Sequence, residues 1–88
     1  AHGTLPAMTR VLVVEDDAAI GRLIRRSLSD AGNAVALAAD GATGLALALS
    51  EQPDVVLLDL GLPDLDGRQV LRMLRAVSGV PVIVIRPG

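Results

Sequence analysis

The chain has 88 residues, is 51% hydrophobic and carries a net charge of −2. That describes one small folded domain, with no charge excess to attract nucleic acid or an anionic membrane and no apolar run near the ~20 residues of a membrane helix. Cysteine and aromatic residues are both absent, which excludes disulfides and thiolate metal sites and leaves Leu, Val, Ile and Ala to build the core.

Residues 1–7, "AHGTLPA", lack the charged and apolar regions of a signal peptide. They read as an expression scar ahead of a natural start at Met8, which sets aside His2, the only histidine. "RVLVV" (10–14) is apolar after its first residue, the pattern of a strand buried on both faces. "DDAAIGRLIRRSLSDAG" then changes period. Ile20, Leu23, Ile24, Leu28 and Ala31 share one helical face and Arg22, Arg25, Arg26 and Ser29 the other, with Asp17 placed to cap the start and Gly32 just past the end. "NAVALAA" (33–39) is a weaker strand.

Asp40 opens a second helix, in which Leu45 and Leu49 lie four apart, and Pro53 forbids its continuation. "DVVLLD" (54–59) is a third strand and "LGLPDLDG" (60–67) a loop. "RQVLRMLRAVSG" is a helix with Val70, Leu71, Leu74 and Val77 on one face. "VPVIVI" (80–85) is a fourth strand. The order βαβαβαβ, with helical crossovers, requires parallel strands and places helices on both faces of an open α/β sheet. Ligands of such sheets bind beyond the carboxyl ends of the strands.

That address is where the acids fall. Glu15, Asp16 and Asp17 follow the first strand and Asp59 ends the third. If these strands are neighbours, their carboxylates converge and raise one another's pKa unless a counter-charge joins them. A hard divalent cation such as Mg²⁺ suits carboxylate and carbonyl oxygens, and zinc's usual ligands are missing. Structural roles compete for these acids. Asp17 is suited to cap the first helix and Asp16 could do so too, and turn and cap chemistry accounts for Asp64 and Asp66. "DLDG" does not begin a calcium loop, because the twelfth position counted from Asp64 is Arg75. Asp59 begins no helix, and its residues alone leave a structural and a functional role both open. A dinucleotide site is disfavoured, since "EDDAAIG" replaces the Gly-rich turn such a site needs.

"RVLVVEDDAAI", "DVVLLDLGLPDLDG" and "VPVIVI", in this order and spacing, resemble the receiver domain of two-component response regulators over about Arg10 to Ile85. The Glu-Asp pair resembles the OmpR-like transcription-factor branch, and "DLGLPDLDG" with "VPVIVI" is similar to regulators of the potassium-transport (Kdp) operon. The resemblance implies a flavodoxin-like (CheY-like) open parallel sheet with strand order 2-1-3-4. It implies that Asp59 is the phosphoacceptor, taking a phosphoryl group from a sensor histidine kinase; that Glu15, Asp16, Asp59 and the backbone carbonyl of Gly61 hold Mg²⁺; and that Pro63 and Gly67 shape the loop. Such a module is a phosphoacceptor rather than an enzyme. It works in the cytoplasm, and its parent is a DNA-binding regulator although this chain itself binds neither nucleic acid nor membrane.

A full receiver has five strands and five helices. The expectation for residues 8–88 is therefore a receiver truncated after its fourth strand, without the fifth strand and the last two helices. Arg86 stands where the family has a Ser or Thr that bonds the phosphoryl group, and the chain contains none of the Lys that ends the fifth strand. Phosphorylation is expected to be slow, and the exposed fourth strand and uncovered sheet face to promote dimerisation or other self-association. An interaction module working without phosphorylation is the alternative. A haloacid-dehalogenase-type phosphatase ranks below both, because Gly61 occupies the place of its second Asp.

Overall fold

The computed structural model describes residues 8–85, which fold as β1 (Arg10–Val14), α1 (Ala18–Asp30), β2 (Ala34–Ala38), α2 (Gly41–Glu51), β3 (Val55–Asp59), α3 (Gly67–Val77) and β4 (Val82–Ile85). All pairings are parallel, in the order β2-β1-β3-β4. The expected strand order and the flavodoxin-like sheet are both present among the described residues.

β1 and β3 lie at the centre, with Val14 level with Leu58, and β3 sets Asp59 level with Ile85 of β4. The pleat sends alternate side chains to opposite faces. Leu12, Val14, Val56 and Leu58 form one buried cluster with Ala38, with Ala48 of α2 and with Val70 and Leu74 of α3. α1 packs on the other face, where Gly21 lets it approach the sheet. A Cβ at Gly21 would stand 3.1 Å from a Leu37 methyl. The central strands are apolar from Val11 to Val14 and from Val55 to Leu58, as expected of strands that have helices on both faces of their sheet.

The helix caps follow the sequence reading. Asp17 Oδ1 accepts the N–H groups of Ala19 (2.9 Å) and Ile20 (3.0 Å). Asp40 accepts from Thr43 at 2.7 Å, and Asp66 forms a capping box with Gln69 at the start of α3. Gln52, just before Pro53, ends α2 with φ of 47°.

Three apolar positions placed on helical faces by spacing do not reach the core. Leu23, Leu49 and Val77 are 69%, 53% and 63% exposed. In α2 the buried stripe consists of Gly41, Gly44 and Ala48, because the helix lies so close to β1 that a Cβ on Gly44 would meet a Val14 methyl at 2.9 Å. A leucine does not fit that gap, so Leu49 faces outward. Ile83 and Val84 of β4 are also exposed.

Candidate functional site

The site forms where β1 and β3 end side by side. The ladder carries one step past β1, since the Glu15 N–H donates to the Ala38 carbonyl at 2.9 Å. One residue beyond the Val14–Leu58 pair, Glu15 and Asp59 follow their strands side by side. Glu15 and Asp59 are the buried polar residues here, 3% and 1% exposed, while Asp16 is exposed beside them. Ligand-capable oxygens of Glu15, Asp16 and Asp59 all lie within 4.8 Å of one another. Asp17 stays outside this cluster as the cap of α1, its own N–H donating to Glu15 Oε2 at 3.3 Å.

Two adjacent buried carboxyls cannot both ionise without cost. Burial, then the hydrogen bond with Asp59, pushes Glu15 up from 4.5 to about 7. Burial pushes Asp59 up too, but hydrogen bonds from Glu15, the Gly61 N–H, Asp16 and the Leu60 N–H together hold it below its ordinary value. Of the two, Glu15 is the carboxyl whose neutral form is favoured and Asp59 the one whose ionised form is favoured.

The cluster fits a hard divalent cation. It supplies three carboxylates and no soft donor, and the one ion pair among the described residues, Arg10 with Glu51 at 3.5 Å, involves none of them. Of the expected ligands, Glu15, Asp16 and Asp59 are thus brought together. Gly61 is adjacent, and its N–H donates to Asp59 Oδ1 at 3.0 Å.

The sequence pattern of the response regulator receiver domain matches residues 11–86. The chain belongs to this family. Among curated relatives, the receiver is 49% identical over 78 residues to the KDP operon transcriptional regulatory protein KdpE of Escherichia coli K12, covering 89% of this chain and 35% of that protein. It is 47% identical over 77 residues to the response regulator MprA of Mycolicibacterium vanbaalenii, covering 86% and 33%. The receiver thus spans about a third of the length of these relatives.

Solved structures agree on the fold. The chemotaxis response regulator CheY4 of Vibrio cholerae superposes with a TM-score of 0.85 at 32% identity, covering 89% of this chain and 68% of that one. A CheY-like receiver domain from Methanospirillum hungatei JF-1 gives 0.86 at 30% identity, covering 93% and 66%. The BeF3-activated N-terminal receiver domain of Klebsiella pneumoniae RstA gives 0.85 at 32%, covering 89% and 67%.

The loop after Asp59 closes beside the carboxylate cluster. The Gly67 N–H donates to the Leu60 carbonyl at 3.1 Å and closes the loop's neck. A Cβ on Gly67 would stand 2.5 Å from the Leu60 Cα and 2.8 Å from the Asp59 carbonyl oxygen. Only glycine fits at this close approach of backbone. Pro63 is exposed on the same loop. Arg86, which the resemblance puts at a switch position, lies outside the described residues, as does His2.

Asp64 lies in a bend as its turn reading expects, but it also reaches a separate element. Its carboxylate spans to the start of α2 and accepts from the Gly41 N–H at 2.7 Å and the Ala42 N–H at 3.0 Å, as well as from the Leu65 N–H at 2.9 Å. The only sequence signal was an acid in a Pro/Gly loop, which says nothing of a partner 23 residues away.

Proposed function

We propose that the chain is the phosphoacceptor module of a two-component system, taking a phosphoryl group onto Asp59 from a phosphohistidine of a sensor histidine kinase. The observation that carries this is the buried Asp59 carboxyl at the end of β3, with Glu15 and Asp16 oxygens within 4.8 Å. One oxygen of the Asp59 carboxylate attacks phosphorus in line with the breaking N–P bond. An acyl phosphate forms and the imidazole leaves, taking a proton from solvent. Asp59 is suited to this because its anionic form is favoured and the Gly61 N–H fixes one of its oxygens.

Glu15, Asp16 and Asp59, with the Gly61 backbone carbonyl, would hold Mg²⁺. The bound ion would neutralise charge on the transferring group. Binding would favour the ionised form of Glu15. Like KdpE, a transcriptional regulatory protein by name, the parent of this receiver is read as a DNA-binding regulator in the cytoplasm. No helix among the described residues is long and apolar enough to cross a membrane.

Beryllofluoride, which mimics a phosphoryl group on a carboxylate, tests the site independently of transfer rate. With Mg²⁺ present it should shift the amide resonances of Asp59, Leu60 and Gly61, and Asp59→Asn should abolish the shift. An unshifted spectrum in the wild-type chain would remove the phosphoacceptor reading.

A second reading, a pairing module that works without phosphorylation, is favoured by the exposure of Ile83 (54%) and Val84 (42%) on β4. Self-association unchanged by Asp59→Asn and by chelation of divalent cations would support it.

A further inference from the structure

Asp64 lies outside the carboxylate cluster, yet it ties the loop that serves Asp59 to a different part of the fold. The loop is fixed at its neck by the bond from Gly67 to Leu60. Its far side is fixed by Asp64, whose two oxygens take the first two N–H groups of α2. The helix does not need Asp64 for the rest of its cap, since Asp40 takes the Thr43 N–H. Gly41 is shaped for this contact. A Cβ there would stand 2.9 Å from a Val70 methyl and 3.0 Å from the Leu65 Cβ, so the bare glycine lets the loop, α2 and α3 close on one another. Between the two anchors lies Gly61, whose N–H holds Asp59 Oδ1.

We propose that Asp64 is a positioning residue for the Asp59 site, which it serves by clamping the Leu60–Asp66 loop onto the first turn of α2 and so fixing Gly61 against the reacting carboxylate. The inference rests on the reading of Glu15, Asp16 and Asp59 as a divalent-cation site. Asp64 touches neither cation nor phosphoryl group. Its effect is transmitted by backbone: released at Asp64, the loop keeps its neck, the Asp66 capping box and the packing of Leu62 and Leu65, but loses its tie to α2, and Gly61 is held less firmly against Asp59. A group that orients a metal's ligands without touching the metal commonly changes affinity by about ten- to a hundredfold.

The test compares Asp64→Ala, Asp64→Asn and Asp40→Ala with the wild-type chain, titrating MgCl₂ alone by calorimetry and following backbone amide exchange. Asp40→Ala controls for weakening the same helix start without touching the loop. Asp64→Ala should lower Mg²⁺ affinity by about tenfold and speed exchange at Gly61, Gly41 and Ala42. Asp64→Asn keeps an acceptor and should recover part of the affinity. Asp40→Ala should leave both the affinity and the Gly61 amide near wild type.

Wild-type affinity in Asp64→Ala, or equal losses in Asp64→Ala and Asp40→Ala, overturns the positioning role and leaves the cation site standing. A wild-type chain that takes up no Mg²⁺ overturns the cation site and the positioning role together. If Asp64→Ala does not fold, Asp64→Asn carries the comparison. Its Gly61 exchange rate must exceed that of Asp40→Ala, or the role is refuted.

Discussion

Asp64 Oδ1 accepts the N–H of Gly41 at 2.7 Å across 23 residues of sequence. That bond, with those from Ala42, Asp64's own backbone and Leu65, holds the Asp64 carboxyl below its ordinary 3.8. A carboxyl with a depressed pKa contributes stability that is complete above the unfolded value and is lost as the pH falls through the folded one. The wild-type chain should therefore lose stability as the pH drops below about 4, and Asp64→Asn should flatten that acid limb while lowering stability at neutral pH. Urea midpoints measured across the acid range check both halves.

Glu15 carries the opposite sign. Its folded value of about 7 lies above the ordinary 4.5, so between these limits the folded chain binds more protons than the unfolded one. Stability should fall as the pH rises from 4.5 to about 7 and stay depressed above it. In the presence of a chelator, Glu15→Gln should be more stable than wild type at pH 8 by about 1–3 kcal/mol, with the advantage vanishing in acid. Saturating Mg²⁺ should stabilise the wild-type chain more than the variant, reducing or reversing that order. Thermal melts with and without Mg²⁺ decide it.

Gly67→Ala should be severe for a residue that gains one methyl. The added carbon would overlap the Leu60 Cα at 2.5 Å, and backbone cannot swing aside as a side-chain tip can. We expect a loss of about 2–4 kcal/mol and displaced resonances at Asp59 and Leu60. An unchanged denaturation midpoint would contradict the closed neck of the loop.

β4 forms one side of the sheet among the described residues, with Ile83 and Val84 exposed on it. Such an edge is a template for another chain. Ile83→Lys should lower the mass seen by light scattering at high protein concentration. A wild-type chain that is monomeric under those conditions would show that the edge is not used.

Much of this was legible in the sequence because it was written locally. The apolar runs at 11–14 and 55–58 define the central strands, the caps at Asp17, Asp40 and Asp66 sit next to the helices they start, and Asp59 stands at a strand end. The contribution of Asp64 was not legible, since its partners lie on a separate element and only the tertiary fold brings them within reach. The outward placement of Leu49 was hidden for a related reason: periodicity ranks residues around a helix but does not report the gap the helix must fill, and here that gap admits only Gly41, Gly44 and Ala48. Nor does the sequence show which of two neighbouring acids favours its ionised form. That follows from the hydrogen-bond donors that reach Asp59.

The parallel register between Val14 and Leu58 makes the placement of both carboxylates a matter of counting. Each strand is a ruler advancing about 3.3 Å per residue and turning its side chain over at every step. Deleting one residue from β3 while its pairing held would move the acid back by one rung and invert it. Adding one to β1 would do the same to Glu15 in the other direction. Substitutions within these strands that preserve volume are therefore far better tolerated than any change of length, and a genetic screen of the region should recover the former and almost none of the latter.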